Sequence, residues 1–188
     1  MSKKFFFIKV FIILAISLFA QTRNPGTPLR GTWDFQMKEI WKSEQAGDDV
    51  FGEIRSINAA KDGRVYILDS KNFKIYIFSK EGKYISHFGK KGEGPGEIRN
   101  LRMGAQLFVT KTSGIVTERG RIHYFSLNGT YKKTVTFSSH LTPRAFVSDD
   151  VFISAPLISP DRRNQTKKII LYNAVDQTEK VISEYKTF

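Results

Sequence analysis

Two glutamates, Glu93 and Glu97, share the stretch GKKGEGPGEI (89–98) with four glycines and a proline. A carboxyl pair at this spacing could serve as general acid and base if one member were desolvated enough to keep its proton near neutral pH. A glycine-rich corner supplies no such desolvation, so two solvated carboxylates are expected. The glycines also suggest a phosphate cradle, but that needs G-x-x-x-x-G-K-[ST] between a strand and a helix. Here the glycines alternate, Pro95 removes a backbone donor, and a further strand-like run follows. Asp69 and Asn72, in DSKNFK, are close enough to suggest a metal or catalytic pair. Both residue types also bond their own backbone in tight turns, and that role is expected here. His87, His123 and His140 stand in separate contexts without an H-x-x-x-H pair, and the chain has no cysteine. Thiolate nucleophiles, thiolate metal sites and disulfides are therefore excluded. No catalytic residue, no metal ligand and no cofactor is expected.

Cationic side chains are the better candidates for recognition. Lysine and arginine number 30 against 18 acids, a formal charge of +12. Lys90, Lys91, Arg99 and Arg102 gather around the glycine corner, and Arg162, Arg163, Lys167 and Lys168 lie in a second basic segment, SPDRRNQTKK. Such residues favour an anionic envelope polymer, lipid or glycan as partner. Scattered as they are, they also describe a generally solvated cationic surface.

The elements that must hold these residues follow an N-terminal leader. Met1-Ser2-Lys3-Lys4 precedes an apolar stretch from Phe5 to Ala20, broken only by Lys9 and Ser17. This is the order of a secretory signal peptide (1–20). Its uninterrupted core, Val10 to Ala20, is shorter than the roughly 20 residues that span a bilayer, so no stable transmembrane span is expected after cleavage. Without a cysteine for lipid attachment, the expected destination is the periplasm or the extracellular space. Cleavage removes three lysines and no acids, which takes the charge to +9. A Pro/Gly/Thr-rich linker (21–32) comes next, then a strand in which Trp33, Phe35 and Met37 alternate with polar residues. SEQAGDDVFGE reads as a polar loop. From Ile54 onward, short β-branched and aromatic runs such as VYILD, KIYIF and RIHYF are separated by turn residues. These are strands, and no long stretch repeats at helical spacing.

The runs repeat. IYIFSKEGKYI from Ile75 aligns with IHYFSLNGTYK from Ile122 at an offset of 47, and IILYNAVD from Ile169 lies 94 beyond Ile75. YILDS aligns with GIVTE at an offset of 48. A period in the high forties with several strands per repeat is that of a β-propeller blade, a small twisted sheet covered on both faces by its neighbours. Gly82 and Gly129 then occupy hairpin positions that need a positive φ. The expected blades run approximately over 51–97, 98–140 and 141–188, within a partial propeller from 33 to 188.

With the repeat aligned, residues 61–98 resemble the NHL repeat of bacterial exported six-bladed β-propeller proteins. The resemblance rests on Gly63-Arg64-Val65-Tyr66, Asp69, Asn72, Lys74 in place of the usual arginine, Phe78 with Gly82, and Phe88-Gly89 followed by Gly94-Pro95-Gly96-Glu97. It is partial over 105–135 and weak over 145–185. In the second copy Thr117-Glu118 stands near the aspartate position, and no glycine-proline-glycine corner follows Tyr131. The resemblance implies an all-β scaffold that presents loops to a protein, peptide or glycan ligand, without implying a reaction. Some relatives are metal-dependent lyases that hold the ion with histidines, which makes a lyase or hydrolase the alternative; a polyanion-binding surface protein is the second. Cytosolic relatives bind RNA, and the signal peptide argues against nucleic acid here. At 47 residues per repeat, residues 21–188, which remain after cleavage, hold fewer than four blades. A portion of a longer six-bladed protein is therefore expected, with self-association through the open propeller edge.

Overall fold

The computed structural model describes residues 37–101, 105–137, 141–155 and 165–187. Signal peptide, linker, most of the strand expected over 33–37, and Arg102, His140, Arg162 and Arg163 lie outside them. The chain divides into two units, Met1–Glu39 and Ile40–Phe188. Of the first, residues 37–39 are exposed and outside any strand.

The second unit is all-β. After a short hairpin of β1 (Gln45–Ala46) and β2 (Asp49–Val50) come three four-stranded antiparallel sheets. The first holds β3 (Ile54–Ala59), β4 (Val65–Asp69), β5 (Lys74–Phe78) and β6 (Tyr84–Phe88). The second holds β7 (Gln106–Val109), β8 (Ser113–Glu118), β9 (Arg121–Ser126) and β10 (Tyr131–Thr136). The third holds β11 (Pro143–Phe146), β12 (Val151–Ser154), β13 (Gln165–Asn173) and β14 (Thr178–Thr187). Each sheet is a meander whose strands pair in chain order. The segment read as a polar loop contains the β1–β2 hairpin, whose Ala46 is buried.

Period-two side chains explain why each sheet needs neighbours. Tyr66, Leu68, Ile75 and Ile77 of the first sheet meet Leu107, Val116 and Phe125 of the second in one core. Ile67, Tyr76 and Phe78, which alternate with them, pack on the other face with Ala46, Trp41 and Phe51. Ile115, Ile122 and Tyr124 carry the second sheet's far face onto Phe152, Ile170 and Tyr172 of the third. This is an unclosed propeller of three blades. In the third blade the alternate residues Ile153, Ile169 and Leu171 are only half-buried.

The hairpin glycines are sockets between blades. Gly82 and Gly129 have φ of +82° and +87°. A Cβ on Gly82 would come within 2.6 Å of the Trp41 ring, and one on Gly129 within 2.7 Å of Phe88. Trp41 and Phe88 are 47 residues apart, so the repeat begins before the first sheet.

Candidate functional site

Asp69 ends β4 and is fully buried. Its carboxylate accepts from the backbone N–H groups of Gly52 (2.6 Å), Glu53 (3.0 Å), Lys71 (3.0 Å) and Asn72 (3.1 Å) and from Asn72 Nδ2 (3.0 Å). Burial pushes its pKa up, but the four N–H bonds prevail and hold it below the usual aspartate value. The residue joins its own turn to the segment entering β3, which is a structural clasp of the kind expected from Asx chemistry. Asn72 also donates to Val50 O at 3.0 Å, and Lys74 pairs with Asp49 at 2.6 Å.

Glu118, at the end of β8, performs the same task one blade on. Its Oε2 accepts from the backbone N–H groups of Arg99 (3.1 Å) and Asn100 (2.9 Å), which lie 47 residues beyond Gly52 and Glu53. Its Oε1 meets His123 Nε2 at 3.1 Å, Arg121 at 3.5 Å and Arg99 Nε at 3.6 Å. Because an ionised carboxylate only accepts, Nε2 carries the proton and Nδ1 faces Thr134 Oγ1 at 2.9 Å. Burial would raise the Glu118 pKa, yet His123, the Asn100 N–H and Arg99 bring it down to about 2. In the third blade Ser154 takes this place, its hydroxyl accepting from Thr142 N–H at 3.0 Å. The aligned repeat puts Thr117-Glu118 near the aspartate position; Glu118 serves although it stands one position off the alignment, because it reaches with a longer side chain.

The glycine corner is also structural. Glu93 is 76 % exposed, whereas Glu97 is 27 % exposed and folds inward, so the expectation of two solvated carboxylates holds for Glu93 alone. Glu97 Oε2 accepts from Gly94 N–H at 3.0 Å, and Lys90 pairs with Oε1 at 3.1 Å. The Gly94 bond and Lys90 lower its pKa. A Cβ on Gly92 would fall 1.9 Å from that carboxylate, and one on Gly96 would fall 3.1 Å from Tyr131, which explains both glycines.

The cationic candidates divide between two sheets' surroundings. Lys90, Lys91 and Arg99 lie on one crossing, where residue 91 bridges residue 98. Lys90 pairs with Glu97, Lys91 lies 5.4 Å over the Phe73 ring, and Arg99 reaches Glu93 at 3.7 Å as well as Glu118. Lys167 and Lys168 are strand residues of β13 in the third sheet, and Lys168 pairs with Glu184 at 3.4 Å. His87 Nδ1 faces Tyr84 OH at 2.8 Å, while His123 is buried with Glu118.

An open concavity lies elsewhere, where the turns after the first, inner strand of each sheet, β3, β7 and β11, meet. A cleft of about 540 Å³ is lined by Asn58, Ala59 and Lys61, by residues 108–112 and by residues 146–149. Asn58 Nδ2 donates to Leu107 O at 2.7 Å and fixes the first sheet to the second. Asp149 fixes the second to the third, accepting from the Thr110 and Thr112 hydroxyls and from Ser113 Oγ at 2.7 Å. Burial raises its pKa, but these hydroxyls and Lys132 hold it below the usual value. Phe108 and Phe146 form an apolar wall, their ring centroids 5.0 Å apart.

A model described as a 6-bladed beta-propeller matches residues 46–153, more than half of the chain. The chain belongs to that family. Three of its blades are visible among the described residues. No curated protein matches the chain. Among solved structures, it is similar to a candidate exported protein of Bacteroides fragilis at 19% identity and TM-score 0.47, covering 81% of this chain and 40% of that one. It is also similar to the Neurospora crassa Pan2 WD40 domain (16% identity, TM-score 0.43, 72% and 39% covered). A third is virginiamycin B lyase from Staphylococcus aureus (14% identity, TM-score 0.39, 72% and 41% covered). The chain therefore spans about two fifths of the length of these proteins. Among the described residues no helix is long and apolar enough to cross a membrane, and no group of three or more His, Cys, Asp or Glu is placed to hold a metal.

Proposed function

We propose that the chain is part of an exported six-bladed propeller that works as a binding module, with the cleft at the inner-strand turns as its recognition site. The observation that carries this reading is where the polar groups are engaged. Asp69, Glu118 and Asp149 are saturated by donors inside the fold, which suits them to hold blades together and not to exchange protons with a substrate. The cleft, in contrast, is open, half apolar and built from three turns of different sequence, AKDGR, TKTSG and VSDD, on strands that repeat. Variable loops on a repeated scaffold are where recognition resides, and about 540 Å³ suits a small ligand or the end of a peptide or glycan chain.

Ligand-observed NMR with a fragment library tests the site. Ser148 is an exposed cleft residue, and Ser148→Trp should fill the mouth and abolish the hits, which should also be recovered chemically unchanged. Hits that persist in Ser148→Trp would place recognition elsewhere. Export rests on the leader, and N-terminal sequencing of the mature protein should begin at Gln21; a retained Met1 would remove that part of the proposal.

A further inference from the structure

Lys61 and Lys111 occupy equivalent turns, β3–β4 and β7–β8, on adjacent blades. Both line this cleft, and both line a smaller recess of about 150 Å³, so the two turns set their lysines at one place. The acids around them are already engaged. Asp62 is held by Arg64 at 2.8 Å, Asp149 by three hydroxyls and the adjacent charge of Lys132, and Asp150 by Lys133 at 2.7 Å. Both lysines are exposed, and neither has a hydrogen-bond or ion-pair partner among the described residues. At the glycine corner and on β13, by contrast, Lys90 and Lys168 are matched by Glu97 and Glu184. Two neighbouring ammonium groups without a counter-ion raise the local positive potential at a partly walled site. The Phe108–Phe146 wall lines the same cleft and is half-buried.

We infer that the cleft takes an organic carboxylate, with its anionic group between Lys61 and Lys111 and its apolar body along Phe108 and Phe146. This rests on the reading of the cleft as the recognition site. A neutral ligand would leave the lysines unmatched, and a bare inorganic anion would leave the aromatic wall unused. A long polyanion needs a continued track of free cations, whereas the neighbouring Lys133 is already paired with Asp150.

Naphthoate and its neutral amide, naphthamide, have nearly the same shape and differ in charge, which makes them the probes. Calorimetry on the full chain at low salt should show naphthoate binding roughly tenfold more tightly than naphthamide, because hydrogen bonds to a charged group exceed neutral ones. Lys61→Gln and Lys111→Gln should each weaken naphthoate about three- to tenfold, the double variant should bring it to the naphthamide level, and added salt should narrow the gap. Lys71→Gln, on the β4–β5 turn at the opposite end of the first sheet, removes the same charge and should change nothing. All three positions are exposed turns, and thermal melts matching the parent would confirm that the variants fold. Equal binding of both probes, abolished in both by Ser148→Trp, would overturn the carboxylate inference and leave the cleft reading standing. Failure of both probes to bind, or binding indifferent to Ser148→Trp, would overturn the two together.

Discussion

At Glu118, two backbone N–H groups, an imidazole and two guanidinium groups converge on one buried carboxylate. Its pKa of about 2, against an ordinary 4.5, makes its contribution to stability depend on pH in a defined direction. A group whose pKa is lowered by folding stabilises the fold above its unfolded value, and that stability disappears as pH falls toward the folded value. Glu118→Gln should therefore cost about 3 kcal/mol at neutral pH, the usual scale for breaking a buried ion pair from one side. The gap between parent and variant should close between pH 4.5 and about 2, as read from urea titrations across that range. A constant gap would mean that shape and not charge is what the site needs. Tyr124 offers a contrast: its buried hydroxyl has no hydrogen-bond partner among the described residues. Tyr124→Phe should be neutral or stabilising by up to about 1 kcal/mol, which a thermal melt would register.

Turns and crossings are where the repeat is enforced. Gly129→Ala should destabilise by about 2–3 kcal/mol, through the left-handed backbone and the overlap with Phe88. The third blade carries Gln177 at the corresponding turn with φ of +58° and an exposed side chain. Gln177→Gly should raise stability by about 0.5–1 kcal/mol, since relief of about 1–2 kcal/mol of left-handed strain outweighs the smaller cost of a freer unfolded chain. Both follow from urea midpoints, and a destabilised Gln177→Gly would show that this turn obeys different constraints. The strands at offset 47 were legible because period-two apolar patterning survives in each copy and the hairpin glycine in the first two. The crossing before β3 was not, since Trp41 stands where the next copy has Phe88 and the corner there lacks proline. Nor was the cleft legible, because it forms only where three turns far apart in the chain meet.

At the scale of the whole molecule, the third blade is the one incompletely covered among the described residues. Ile153, Ile169 and Leu171 form an apolar row of the kind that the first two blades bury against a neighbour. The isolated chain should therefore self-associate, with sedimentation velocity showing concentration-dependent species. Leu171→Lys should shift that equilibrium toward monomer several-fold without loss of β-sheet circular dichroism, whereas an unchanged distribution would place the contact on another surface.

The clasps that close the second strands are equally well supplied in the first two blades and weak in the third. Asp69 collects five donors, Glu118 two backbone N–H groups and three cationic or imidazole partners, and Ser154 a single N–H. A fold fastened in this uneven way has a preferred direction of opening, and the blades become separate units of local unfolding. Amides of β12 and β13 should exchange with solvent before those of β4, β5, β8 and β9. The order in which blades would be released to a protease, or re-formed after release, is thus written in which residue closes each second strand.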